Sequence, residues 1–343
     1  MRGQFRRWVF RIFAVTLGLL LCAIIAGSIY QAIESTRERR LYPPPGELID
    51  VGGYHLHLTC AGTGSPTVVL QWSYSLTWYL VQPEIARFTR VCAVDPAGIG
   101  WSDSGPRPRD SDQIAKELNL LLSRANVPPP YILVGHSRGA FYIRVYAARF
   151  HNSVAGAVFV DPEDENTSKR IPELNPSAVV RAGLRIGPLL TRIGMVRLAG
   201  LCGARTWLEG TGVVVPPKID KMSVAVECRP SVARAVAEYQ WALLDSAEEA
   251  RKSGVLGDIP LVVISRDPTY YPAHDDVSAK LLDTHIEEVW TELQKDQLRL
   301  SSNSRQVIAS GSGHGIPWEH PEAVISAVQS IVQSWRLSNP QIN

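Results

Sequence analysis

The 343-residue sequence has little of what marks several large function classes. Its formal net charge is only +2, and no Lys/Arg block is long enough to form a phosphate-binding stripe. The electrostatic footprint of a nucleic-acid-binding protein is therefore missing. There is no Cys-x-x-Cys pair and no His-x-x-x-His, which removes the spacing of a structural zinc site. No repeat of fixed period is visible, so solenoids and propellers are excluded. Cysteine itself is sparse, at five residues.

What is present is the balance of a globular protein: 45% hydrophobic and 20% charged residues, enough for one large domain or a domain with an insertion. The N-terminus departs from that balance. Residues 1–11 carry Arg2, Arg6, Arg7 and Arg11, and residues 12–33, "IFAVTLGLLLCAIIAGSIYQAI", carry no charge. About 20 apolar residues is what one helix needs to cross a bilayer. A cleaved signal peptide has a shorter apolar region of roughly 7 to 15 residues, so the length favours a signal anchor. Ala26-Gly27-Ser28 would be the cleavage site of a secreted form. The basic flank favours a cytoplasmic N-terminus and an extracytoplasmic remainder. Cys22 lies in the span, and the remaining four cysteines permit two disulfides in an oxidising compartment, or four buried thiols.

Residues 34–45, "ESTRERRLYPPP", read as a charged linker stiffened by Pro43 to Pro45. "ELIDVGGYHLHLTCAG" has the alternation and glycine turn of a hairpin. "TVVLQ", "RVCAVD", "YILVG" and "VAGAVFVD" read as short buried strands. Helical spacing lies between them at 111–125 and after Ser137. Strand and helix in alternation predict a mostly parallel sheet with helices on both faces. From Pro162 to Leu256 the pattern turns helical, and the alternation resumes with "IPLVVIS", a helix over 276–300, "RQVIAS" and a helix over 321–335. The chain is thus divided into core residues 46–161, a helical insertion at 162–256 and core residues 257–338. The alternative is a separate middle domain.

The chemistry centres on "YILVGHSRGAFY". Gly-x-Ser-x-Gly between an apolar strand and a helix is a nucleophile elbow. The turn needs small residues two before and two after the serine, and Gly135 and Gly139 supply them. The turn would lift the Ser137 hydroxyl to a helix N-terminus, where developing negative charge is favoured. A serine needs a base. Of the eight histidines, His314 in "SGSGHGIPWEHPE" follows the last strand and precedes the last helix. His320 reads as a surface or capping residue, and His136 as a packing residue.

These motifs resemble the α/β-hydrolase superfamily, and the likeness runs from about Gly46 to Trp335. "GHSRG" and "SGSGHGI" are joined by "VDPAGIGWSD", which is similar to an Asp-x-x-Gly-x-Gly-x-Ser-Asp turn common after the fourth strand of members. The resemblance implies an α/β-hydrolase fold with an eight-stranded-type, mostly parallel sheet and a helical cap at 162–256. It also implies serine acyl-transfer chemistry, with no metal or organic cofactor. Ser137 stands against the aspartate nucleophile of epoxide hydrolases and dehalogenases.

The resemblance places a triad acid after the sixth strand, at Asp161, or after the seventh, where Asp267, Thr269, Asp275 and Asp276 lie. Asp161 is preferred over Asp267, and Asp275 and Asp276 read as helix caps. The oxyanion hole would use the backbone N–H of Arg138 and, by position, of Ser73. Gln71 and Trp72 stand where relatives carry a small pair, which departs from the pattern. The Arg138 side chain is expected to pair with a nearby carboxylate. Because the second and fourth strands are neighbours in the family's sheet, Cys60 and Cys92 are one candidate disulfide, and Cys202 and Cys228, both in the cap, are another.

The expectation is a membrane-anchored serine hydrolase acting on a small hydrophobic ester-type substrate. Two alternatives are carried: a binding protein that keeps the fold without catalysis, and an acyltransferase using the same residues.

Overall fold

A computed structural model describes residues 2–342, apart from 73, 204–207, 209–210 and 271–276. Eight strands form one sheet: β1 (Glu47–Asp50), β2 (His55–Ala61), β3 (Thr67–Gln71), β4 (Val91–Asp95), β5 (Tyr131–His136), β6 (Val154–Val160), β7 (Leu261–Arg266) and β8 (Ser304–Ala309). Their order across the sheet is β1-β2-β4-β3-β5-β6-β7-β8. β1 and β2 pair antiparallel, β2 pairs antiparallel with β4, and every later pairing is parallel.

The parallel strands are near-continuous apolar runs because both faces are covered. Alternate residues part to opposite sides. Val68, Leu70, Ile132, Val134, Val158 and Val160 pack with the helix Pro321–Ser338 through Val324, Val328 and Ile331. Val69, Leu133, Phe159 and Val263 pack on the other side against Leu118, Leu121, Ile143 and Tyr146. Those four belong to α3 (Ser111–Arg124) and α4 (Gly139–Arg149), which follow α1 (Arg2–Leu41) and the short α2 (Gln82–Ile85). α3 starts where the Asp110 carboxylate accepts the Gln113 N–H at 2.9 Å. Each fully buried large apolar side chain contributes about 1.5–3 kcal/mol.

Among the described residues, the chain between β6 and β7 contains helices and no strand. It begins with α5 (Thr167–Arg170), α6 (Ala178–Arg192) and α7 (Met195–Leu198), and continues through helices Pro217–Glu227, Pro230–Trp241 and Leu243–Lys252. The last of these buries Leu243, Ala247 and Ala250 against Ile114, Phe141 and Tyr142 of α3 and α4.

Residues 34–41, read above as linker, are helical and continue α1. Glu, Arg and Leu there are good helix formers, and the helix stops just before Pro43 to Pro45, where proline removes backbone donors. α1 is the one helix among the described residues long and apolar enough to cross a membrane. Cys60 is joined to Cys92 across the β2–β4 register, and Cys202 to Cys228. Cys22 is free.

Candidate active site

Three neighbouring parallel strands, β3, β5 and β6, are each followed directly by a residue with positive φ that is not glycine: Trp72 (151°), Ser137 (54°) and Asp161 (39°). Such backbone costs about 1–3 kcal/mol per residue and concentrates at functional sites. All three stand at the carboxyl ends of the strands, where open α/β sheets bind ligands.

Ser137 owes its conformation to the turn between β5 and α4. A Cβ on Gly135 would sit 2.6 Å from the Gly139 carbonyl carbon, and one on Gly139 would sit 2.5 Å from the Gln71 carbonyl oxygen. The glycines therefore let β5, the start of α4 and the end of β3 approach closely. The Ser137 N–H donates to the Val160 carbonyl at 2.9 Å, tying the turn to β6.

His314 comes from the loop after β8. Its Nδ1 lies 2.7 Å from Asp161 Oδ2. An ionised carboxylate only accepts, so Nδ1 carries the proton and Nε2 of the neutral ring is left as an acceptor. The Asp161 carboxylate is wholly buried and also accepts from Trp290 Nε1 at 3.0 Å and the Arg266 N–H at 3.2 Å. Burial works against its charge, but the His314 hydrogen bond and the Arg266 guanidinium outweigh burial and hold its pKa below the usual carboxylate range.

His136 packs under this loop. Its Nε2 donates to the His314 carbonyl at 2.8 Å, and the two rings lie 4.7 Å apart. Burial, then the neighbouring His314, pushes the His136 pKa down to about 3, so the ring is neutral at ordinary pH. His320 occupies the N-cap position of the last helix without a side-chain cap bond.

Asp267 is engaged elsewhere. Its Oδ1 accepts from the Thr269 N–H and hydroxyl on its own exposed loop, and its Oδ2 from the Gly311 N–H on the loop after β8. Asp275, Asp276 and Ser73 lie outside the described residues. The Arg138 side chain pairs with Glu163 at 2.9 Å. Trp72 packs its ring against His136 and Tyr142.

Ser137 and His314 line one cavity of about 410 Å³, with Arg138, Arg266, Trp290, Ile286 and Leu174 among its other walls. Arg266 is held by Glu287 at 2.5 Å and stacks 4.3 Å over the Trp290 ring. Sequence reasoning missed Trp290 and Arg266. Trp290 sits inside a long helix with nothing in its neighbours to mark it, and Arg266 stands beside the more conspicuous Asp267.

The comparisons with known proteins agree with this architecture. Residues 56–327 match the model of the alpha/beta hydrolase family. The chain belongs to that family. A protein of Gibberella zeae described as an AB hydrolase superfamily protein is 27% identical over 277 residues, covering 75% of this chain and 82% of that one. A protein of Hormonema carpetanum described as a probable transporter is 26% identical over 304 residues, and the match spans 84% of this chain but only 43% of the relative. The solved epoxide hydrolase CorEH superposes with a TM-score of 0.58 at 19% identity, covering 84% of this chain and 98% of the other. At that identity the likeness concerns the fold.

Proposed function

We propose that this family member is a membrane-anchored serine hydrolase that cleaves an ester or related acyl bond. The observation that carries the reading is the strained Ser137 sharing a cavity with His314, whose imidazole is held by the buried Asp161 at 2.7 Å. His314 Nε2 takes the proton as Ser137 Oγ attacks the acyl carbonyl, and Asp161 fixes the tautomer and stabilises the imidazolium. The oxyanion is held by the Arg138 N–H at the start of α4 and by the Ser73 N–H. His314 then protonates the leaving alcohol. Water, deprotonated by the same ring, releases the acid from the acyl-enzyme.

The cavity's charges cancel in pairs, which leaves room for an uncharged substrate. Arg138 and Arg266 are already paired with Glu163 and Glu287, and Leu174 and Ile286 supply apolar wall for an acyl chain or ring. The serine separates the chemistry from that of an aspartate-nucleophile epoxide hydrolase. The anchor is α1, with its basic N-terminal flank on the cytoplasmic side. Two disulfides fit a domain exported to an oxidising compartment.

The test is labelling of the full-length chain with a fluorophosphonate. The wild type is expected to be labelled and Ser137→Ala to be unlabelled. A folded wild-type protein that resists the probe would favour a binding protein on the same fold.

A further inference from the structure

We infer that the α6–α7 face of the helical segment beds into the lipid–water interface beside α1, so that the membrane is held at two places. This rests on the reading of α1 as a membrane span.

The first support is where α1 meets the body. The α6–α7 corner packs on α1 well before the uncharged run ends at Ile33. A Cβ on Gly27 would lie 2.2 Å from the Ile193 carbonyl oxygen, and one on Gly194 would lie 2.9 Å from the Gly27 carbonyl oxygen. Both positions need glycine for the backbones to approach. The contact is then locked further along α1. Gln31 donates to the Cys228 carbonyl at 2.8 Å, and Arg197 pairs with Glu38 through both carboxylate oxygens in a largely buried contact. The first charge after the span is Glu34. From Gly27 to Glu34 the helix rises about 10 Å. The α6–α7 corner therefore reaches about that far into the depth that the uncharged run occupies. Interfacial helices sit roughly 5–10 Å into this boundary.

The second support is the surface the corner presents. Val179, Ile186 and Leu189 of α6 are exposed, and their spacing puts them on one face. Met195 and Leu198 of α7 and the following Leu201 extend the apolar surface. Arg181, Arg185 and Arg192 are exposed along the adjoining stripe of α6. An exposed apolar face edged with arginines matches an interface lined by anionic headgroups, because the stems lie along the hydrocarbon while the guanidinium groups reach phosphate. A water-facing helix has no use for that row, since contiguous exposed apolar surface marks a contact. The same segment leads to the cavity: Leu174, a wall of the site, lies four residues before α6 begins.

The full-length chain in phosphatidylcholine–phosphatidylglycerol vesicles tests this. The native Cys22 would carry an environment-sensitive fluorophore in one sample. In a Cys22→Ser background, Ile186→Cys, Leu198→Cys or Val255→Cys would carry it in the others. Val255 is exposed at the opposite end of the strands. Quenching by spin-labelled lipids then reads depth. Cys22 should be quenched best by a deep label. Ile186→Cys and Leu198→Cys should be quenched by a shallow label at least about twofold more than Val255→Cys. If Cys22 is quenched while Ile186→Cys and Leu198→Cys behave like Val255→Cys, the second contact does not exist and the anchor reading survives. If Cys22 is not quenched either, both fall.

Discussion

Of the three histidine–aspartate pairs among the described residues, two have the aspartate at the carboxyl end of a strand and nearly equal geometry, and of those two only one opens on a cavity. His57 Nδ1 lies 2.8 Å from Asp95 Oδ2, and His314 Nδ1 lies 2.7 Å from Asp161 Oδ2. Each aspartate stands at the carboxyl end of a strand and collects backbone donors. Asp95 accepts from the Ser75 N–H at 2.5 Å and the Trp101 N–H at 2.9 Å, and so gathers the loops around "VDPAGIGWSD". The His57 and Asp95 side chains are wholly buried, and His57 Nε2 has no partner among the described residues. The His314 side chain is 39% exposed and opens on the cavity it shares with Ser137. A buried carboxylate orienting an imidazole is therefore as serviceable for joining loops as for chemistry. What separates the two pairs is that His314 opens on a cavity that Ser137 also lines, whereas His57 is sealed.

Breaking the two pairs should have different consequences. Asp161→Asn keeps a residue that tolerates positive φ but no longer selects the His314 tautomer. Turnover of an activated ester should fall by about 10³–10⁴-fold with the fold intact, as read by steady-state kinetics beside circular dichroism. Asp95→Ala should do the reverse. It orphans two backbone N–H groups and His57, and urea denaturation should show a loss of about 3–5 kcal/mol. Turnover per folded molecule should stay close to that of the wild type. Equal loss of turnover from both variants would dissolve the distinction.

A smaller effect concerns His136 beneath the His314–Asp161 pair. The unfolded ring titrates near 6.5, and the folded ring only at about 3. Between those values the unfolded chain binds a proton that the folded chain refuses, so stability falls as pH falls. The slope from this residue is at most about 1.4 kcal/mol per pH unit. Asp161, whose pKa is held low, contributes stability above the ordinary carboxylate range and loses it only in stronger acid. Between pH 7 and 5 the histidine's contribution is superimposed on the opposite one of Glu249, whose carboxyl burial pushes up to about 7. Its share is therefore read as the difference in urea midpoints between wild type and His136→Gln, which should lose less stability on acidification. The smallest effect is expected of Asp267→Asn. Its carboxylate is exposed and, among the described residues, binds its own loop and Gly311, so turnover should change less than about threefold. A large loss there would shift the imidazole's partner from β6 to β7.

The fold was legible because its signals are local. Apolar runs bounded by turn residues marked all eight strands, and Gly135 and Gly139 marked the elbow, since a turn that tight leaves no room for a Cβ. The acid was only half legible. Asp161 and Asp267 both follow a strand, and nothing in their neighbours says which carboxylate meets an imidazole 153 or 47 residues further on. The chain's own order of residues determined a mostly parallel sheet, a serine on its elbow, a histidine after the last strand and one long apolar helix. Tertiary structure alone decided the rest: that Asp161 meets His314, that Trp290 and Arg266 complete its shell, that His57 and Asp95 are sealed, and that Gly27 of the apolar helix abuts Ile193. Those contacts join residues far apart in the chain, and long-range geometry depends on how the helices pack over the sheet.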